Sequence, residues 1–326
     1  MLILRRREIA GLLTFGEYVD AVEQAFRAYA EGRALGPALA HVRAGDGEFH
    51  IKAGGLPDPQ PCVAVKANGN FSQNPVRHGL PGIQGVILLA NAVNGSPLAV
   101  MDSMEITIQR TGAATAIAAR YLARPESAVC TICGCGNQGR IQLRAICHTL
   151  PIRKVMAFGA SVEEAEGFAL AMNRDLGIEV TAGGGLREAL AQSDVCITCT
   201  PSRRPLFGCG SVPAGMFIAA VGADSADKQE LDAGLLTKAS VFGDLLDQCA
   251  AVGEFHHGLA EGLVCREDFR GELGALITGR VKGRTSAGEI TIYDSTGTAL
   301  QDAAAAGAVY RKAKAAGLGM EVDVAG

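Results

Sequence analysis

The sequence predicts an α/β fold built on a doubly wound parallel sheet, preceded by a strand-rich region of different character. Three observations predict it. The apolar run Ala128-Val-Cys-Thr-Ile-Cys133 leads straight into Gly134-Cys-Gly-Asn-Gln-Gly139, and Arg140-Ile-Gln-Leu-Arg-Ala-Ile-Cys147 then reads as a helix. From about residue 125 to 300, short runs that are apolar throughout alternate with helical segments, as in a parallel sheet covered on both faces. The first ~120 residues instead carry short segments broken by Gly, Pro and Asn.

Taken in order, Thr14–Glu31 reads as an amphipathic helix with Tyr18, Val22, Ala25, Phe26 and Tyr29 on one side. Pro37–Ala44, Glu48–Ala53, Cys62–Ala67 and Gly85–Ala92 read as strands. Asn94-Gly95 predicts a hairpin turn joining Val86–Ala90 to Pro97–Met101. Ile106–Ala123 is a helix leading into the second region, where Val129–Cys133 is the first strand and Lys154–Phe158 the second. A helix between Ser161 and Leu176 opens with a capping box, Ser161 and Glu164. Further strands fall at Ile178–Val180, Asp194–Cys199, Met216–Val221 and Ala239–Phe242, and Ala299–Ala316 is one long Ala-rich helix.

Composition narrows the class. A chain of 326 residues with 48% hydrophobic and 20% charged residues has ample core for about two domains. A net charge of −4 leaves no basic footprint for nucleic acid. No apolar run approaches the about 20 residues of a membrane helix, and Arg5-Arg-Arg follows too short an apolar start for a secretory signal. A cytoplasmic enzyme is expected. Cys130/Cys133 and Cys196/Cys199 have C-x-x-C spacing, but residues three apart on a strand point to opposite faces. They read as small buried hydrophobes in a reducing compartment, and no metal site is expected.

With 42 glycines in the chain, a G-x-G-x-x-G match gains weight only from its strand–turn–helix context. In that context Gly134 makes the tight turn, Gly136 lets backbone approach a pyrophosphate, and Gly139 lets helix and strand pack closely. The N–H groups of Asn137 and Gln138 then face the anion. This is a Rossmann dinucleotide site. The position at the end of the second strand, where an acid ordinarily holds the ribose, is Gly159. Gly159 removes the repulsion that would exclude NADP, and Ser161 either donates to a phosphate or caps its own helix. NAD or NADP stays open.

Arg43, Lys52, Lys66 and Arg110 form a candidate cationic set for a carboxylate-bearing substrate, Arg offering a bidentate grip. The alternative for each is a solvated surface charge. Lys66 and Arg110 stand out because their neighbours are apolar or small. Val221-Gly-Ala-Asp224 puts a carboxylate just past a strand, at the carboxyl edge where such sheets bind ligands. Asp224 there either exchanges protons with substrate or caps a helix over Ser225–Leu236. The six histidines show no nucleophile or metal pattern, and His256-His257 reads as a surface pair.

A set of ordered blocks covers nearly the whole chain: Val65-Lys-Ala67, His78-Gly-Leu-Pro81, Pro97-Leu-Ala-Val-Met-Asp102, Arg110-Thr-Gly-Ala-Ala114, Gly134-Cys-Gly-Asn-Gln138, Thr200-Pro-Ser202, Val221-Gly-Ala-Asp224 with Lys228-Gln-Glu-Leu-Asp232, Gly253-Glu254 and Glu289-Ile-Thr-Ile-Tyr-Asp-Ser-Thr-Gly297. They resemble the ornithine cyclodeaminase/μ-crystallin family, which includes archaeal-type alanine dehydrogenases and ketimine reductases. The resemblance implies a Rossmann NAD(P)-binding domain, here 116–302, plus a smaller α+β substrate and dimerisation domain, here 1–115 with 303–326, in a homodimer. It implies that Arg43, Lys66 and Arg110 bind the substrate carboxylate or reacting group, and that Asp224 is the general acid/base. Gly136, Asn137, Gln138, Thr200, Lys228 and Ser295 would contact the cofactor.

Three departures stand out. The family's cyclodeaminases present a Glu before the catalytic Lys, but Phe49-His-Ile-Lys52-Ala-Gly54 has Lys52 there. Lys52 would repel an ornithine ammonium and suits a neutral or anionic side chain. Gly82 and Gly159 replace a cofactor-contacting Thr and the ribose Asp. The expectation is therefore an NAD(P)-dependent oxidoreductase interconverting an imino acid, or a 2-oxo acid plus amine, and an L-amino acid. The alternatives are a cyclodeaminase that recycles NAD and releases ammonia, and a non-catalytic μ-crystallin-like nucleotide binder.

Overall fold

Alternation of buried and half-buried residues along Cys62–Asn70 marks a strand with one face in a core. In this computed structural model, which describes residues 1–324, the chain forms two compact units. One is Met1–Ala113 with the chain from Thr298 onward, and the other is Ala114–Gly297.

The first unit contains β1 (Leu2–Leu4), α1 (Arg6–Ile9), α2 (Phe15–Ala30), β2 (Leu35–Ala44), β3 (Gly47–Leu56), β4 (Cys62–Asn70), α3 (Asn74–His78), β5 (Ile83–Asn91) and β6 (Pro97–Asp102). Helix α4 (Ser103–Leu122) starts here, and the unit boundary falls within it. The sheet runs Met320–Glu321, β1, β6, β5, β4, β3, β2. Thr14 caps α2, accepting from Glu17 N at 3.3 Å while the Glu17 carboxylate takes Thr14 N at 2.7 Å. The Ala-rich C-terminal helix, Ala299–Ala315, packs on α2, β3 and β4. Its small side chains permit close approach, for a Cβ at Gly54 would already lie 3.0 Å from the Ala299 Cβ. Register places Leu39, Lys52, Lys66 and Ile87 on one rung across β2 to β5, so Lys52 and Lys66 share a face.

The second unit contains β7 (Val129–Cys133), α5 (Asn137–Thr149), β8 (Lys154–Phe158), α6 (Val162–Leu176), β9 (Glu179–Ala182), α7 (Leu186–Leu190), β10 (Val195–Thr198), β11 (Arg203–Phe207), β12 (Phe217–Ala220), β13 (Gln229–Leu231), β14 (Ser240–Gly243), α8 (Leu246–Val252), α9 (Glu254–Ala260), β15 (Phe269–Glu272), α10 (Leu273–Ile277) and β16 (Thr291–Asp294). Its main sheet is parallel, in the order β15-β14-β16-β12-β10-β7-β8-β9. The chain leaves β7 for β8 on one side and later fills β10 and β12 on the other. That reversal makes the end of β7 the switch point where such sheets bind ligands.

Several expectations are corrected here. Ser225–Leu236 is not a helix. It holds β13, which pairs with β11, and a 3-10 turn at Ala233–Thr237. The strand Thr291–Asp294, absent from the strands read from sequence, inserts between Phe217–Ala220 and Ser240–Gly243. Its polar ends hid it from a search for apolar runs. Ser161 caps α6 by accepting Glu164 N at 3.2 Å, but the Glu164 carboxylate bonds Ala160 N rather than closing the box on Ser161. His256 and His257 are half-buried, their ring nitrogens 3.1 Å and 2.7 Å from the carbonyls of Ala250 and Lys228.

The turn after β7 depends on its glycines. Gly134 has φ +112°, and a Cβ at Gly139 would lie 2.0 Å from the Gly134 carbonyl oxygen. Gly139→Ala should therefore push α5 off the turn and lower stability by about 1–3 kcal/mol in urea unfolding. An unchanged unfolding midpoint would show that the turn relaxes freely.

Candidate functional site

Two clusters of buried or paired charged groups stand out, one in each unit. In the first, Lys52 (6% exposed), Lys66 (2%) and Arg110 (4%) are all buried, so the surface-charge alternative fails for these three. Burial of a cation is unfavourable unless an anion answers it. The answer comes from the first turn of the C-terminal helix. Asp302 Oδ2 lies 2.6 Å from Lys66 Nζ, and its Oδ1 accepts Arg110 Nε at 2.9 Å. Gln301 Oε1 accepts Arg110 Nη1 at 2.6 Å, which fixes the guanidinium plane from the same turn. Burial lowers the Lys66 pKa to about 7, with Arg110 and Lys52 adding to the fall and Asp302 opposing it. Burial would raise Asp302, but the Arg110 and Lys66 cations outweigh it and hold the carboxyl below its ordinary range. A lysine poised near neutrality beside a fixed arginine can both hold a carboxylate and exchange a proton.

Arg43 does not join this cluster. It is exposed and stands opposite Glu48, four rungs along the sheet from Lys52 and Lys66. Between them lies a group that sequence reading set aside. His50 is buried, 2.6 Å from Glu48 and edge-on to His41 at 4.5 Å between ring centres. On the same rung, Ser103 Oγ donates to Asn68 Oδ1 at 2.6 Å.

In the second unit, Asp224 and Lys228 form an ion pair at 2.6 Å. Three buried carboxyls support the segments around them. Asp294 accepts Glu254 N at 3.1 Å and Phe255 N at 2.9 Å. Glu254 accepts Glu230 N at 2.7 Å and Leu231 N at 3.1 Å. Glu230 accepts Thr200 N at 2.6 Å, the Thr200 hydroxyl at 2.7 Å and Gly222 N at 2.8 Å. Burial pushes Glu230 up, Glu254 well up and Asp294 to about 7. The relay ties the end of β16, beside Ser295, to Thr200 and to the segment that carries Asp224.

The glycine turn fits a pyrophosphate. Among the described residues nothing lies within 4 Å of a Cβ built on Gly136, and this N-cap glycine offers α5 no side-chain cap, which leaves its first-turn backbone N–H groups suited to an anion. Gly134, Asn137, Gln138 and Gly139 sit at this turn, and Gly159 lies just past the end of the neighbouring β8. Ser161 is occupied as the cap of α6. Sequence reading missed Asp302, Gln301, Glu230 and the role of Glu254. A Gln-Asp pair in the first turn of an otherwise Ala-rich apolar helix was the available signal for the first two.

The chain matches the ornithine cyclodeaminase/mu-crystallin family over residues 1–317. An archaeal alanine dehydrogenase dimer with bound NAD superimposes with a TM-score of 0.94 at 37% identity, covering 99% of each chain. The Thermococcus litoralis Δ1-pyrroline-2-carboxylate reductase in complex with NADH and L-proline gives 0.95 at 33% identity, over 99% of this chain and 100% of the other. The iminosuccinate reductase of Paracoccus denitrificans in complex with NAD+ gives 0.90 at 32%, over 99% of each. With its family match and these likenesses running almost from end to end, the chain belongs to the ornithine cyclodeaminase/mu-crystallin family.

Proposed function

We propose that this protein is an NAD(P)-dependent oxidoreductase that interconverts an imino acid, or a 2-oxo acid plus amine, with an L-amino acid. The observation that carries this reading is the buried Lys66–Asp302–Arg110 cluster, in a chain whose other unit holds an uncapped glycine turn. Arg110, oriented by Asp302 and Gln301, grips the substrate carboxylate. Lys66 donates a hydrogen bond to the reacting imine or carbonyl and so polarises it. Lys52 favours an acidic side chain on the substrate. Asp224, paired with Lys228, carries the proton to and from the substrate nitrogen. Gly134, Gly136, Asn137, Gln138, Gly139, Thr200, Lys228 and Ser295 hold the dinucleotide, which when bound supplies or takes the hydride at the substrate Cα. Arg43, being exposed and off the cluster, has no place in this scheme.

The protein acts as a homodimer in this reading. The outer face of the first unit's sheet exposes Val42, Phe49, Val86 and Leu88, between 37% and 50% each, an apolar patch that a second copy would cover. The setting is cytoplasmic, in keeping with ten free cysteines. Among the described residues no helix is long and apolar enough to cross a membrane.

Purified protein should oxidise NADH or NADPH when given imino dicarboxylates, cyclic ketimines or 2-oxo acids with amine. Lys66→Met should lower kcat/KM by about 100-fold or more. The wild-type rate of reduction should fall as pH rises through about 7, where Lys66 gives up its proton. Ammonia release from ornithine without net cofactor turnover would reject this reading in favour of a cyclodeaminase, and inactivity on the whole panel would reject an oxidoreductase.

Lys52→Ala should raise KM for an imino dicarboxylate by about 10-fold or more, with little change for an alanine-like substrate. Equal losses for both would remove Lys52 from side-chain recognition. Light scattering should show a dimer that Val86→Glu with Leu88→Glu converts to monomer; a variant that stays dimeric would move the interface elsewhere.

A further inference from the structure

The position from which a Rossmann domain ordinarily presents an acid to the adenosine ribose is Gly159 here, just past the end of β8. The space left by the missing side chain is filled from the following helix. A Cβ on Gly159 would lie 3.1 Å from both the Cβ and Oε2 of Glu164, the third residue of α6. The Glu164 side chain folds back over the strand end, and its Oε2 accepts the backbone N–H of Ala160 at 2.8 Å. Its charge is also felt at the glycine turn. The Cys135 thiol, within that turn, is pushed up to about 12 chiefly by burial and next by the Glu164 charge. Glu164 is itself exposed, with solvent access for a ligand.

We propose that Glu164 supplies the carboxylate that receives the adenosine ribose hydroxyls, and that it selects NAD(H) by repelling the 2′-phosphate of NADP(H). This rests on the dinucleotide site proposed above. It reverses the expectation drawn from Gly159 alone, because the strand end lacks an acid in sequence but not in space. The opposing group is Arg140 on the first turn of α5, which would attract a 2′-phosphate. Its guanidinium lies 5.7 Å from the centre of the Phe168 ring on α6, and it also acts on Cys135, in the sense opposite to Glu164.

The test is a fluorescence titration of NADH and NADPH with the full-length protein and Glu164→Gln. Gln keeps an acceptor for Ala160 N–H and removes only the charge, and a matching thermal midpoint confirms the fold. The wild type should bind NADH at least about tenfold more tightly than NADPH, and the variant should lose most of that ratio by gaining NADPH affinity. A wild type that binds NADPH as well as NADH overturns the proposal, as does a ratio left unchanged by Glu164→Gln while NADH still binds. Failure of the wild type to bind either nucleotide overturns the dinucleotide site as well.

Discussion

Asp302 is the constraint on which the first unit depends. Lys66 and Arg110 are buried on neighbouring elements, and cations so placed would drive those elements toward water if left unanswered. One carboxylate answers both, with one oxygen each. The ion pair therefore does more than balance charge. It ties β4, α4 and the C-terminal helix together, and it holds the Lys66 pKa up at about 7 against the burial and neighbouring cations that lower it. Packing and chemistry here are the same interaction seen twice.

The second unit solves a different problem by related means. Its ligand-facing edge is a set of loops at strand ends, which on their own would be mobile. Asp294, Glu254 and Glu230 are each buried and each take up backbone N–H groups of the next segment. The series links β16 to Thr200 and Gly222 through buried side-chain–backbone hydrogen bonds, each costly to leave unmade. Gly253 is part of this arrangement, since a Cβ there would lie 2.4 Å from Asp294 Oδ2. Loop positions are thus set by buried carboxyls bonded to the backbone of the next segment.

Much of this was legible in sequence where periodicity or turn chemistry spoke directly. Val129–Cys133, Lys154–Phe158 and the hairpin at Asn94-Gly95 fall where apolar runs and a glycine turn put them. Lys66 and Arg110 betrayed their burial by their apolar neighbours. What did not show was anything that depends on a partner distant in sequence. Asp302 looks like an N-terminal helix charge until register brings Lys66 opposite it. Thr291–Asp294 lacks an apolar run yet is wholly buried, because its polar atoms are met by Leu122 and the backbone of Glu254 and Phe255. Arg43 and His50 show the same limit. Their alternation along strands was readable, but which rung lay over the cluster was not.

The discontinuity of the first unit has a consequence for how the protein is made. Arg110 and Asp302 are separated by 192 residues, and the whole of the second unit is synthesised between them. As the chain emerges, the N-terminal sheet carries its buried cations without their counter-ion and without the helix that covers β3 and β4. The second unit is contiguous and has all its strands before the last segment appears. Completion of the first unit thus waits on the final stretch of translation, and a chain cut short before Ala299 would hold every strand of the parallel sheet while leaving the cationic half unfinished.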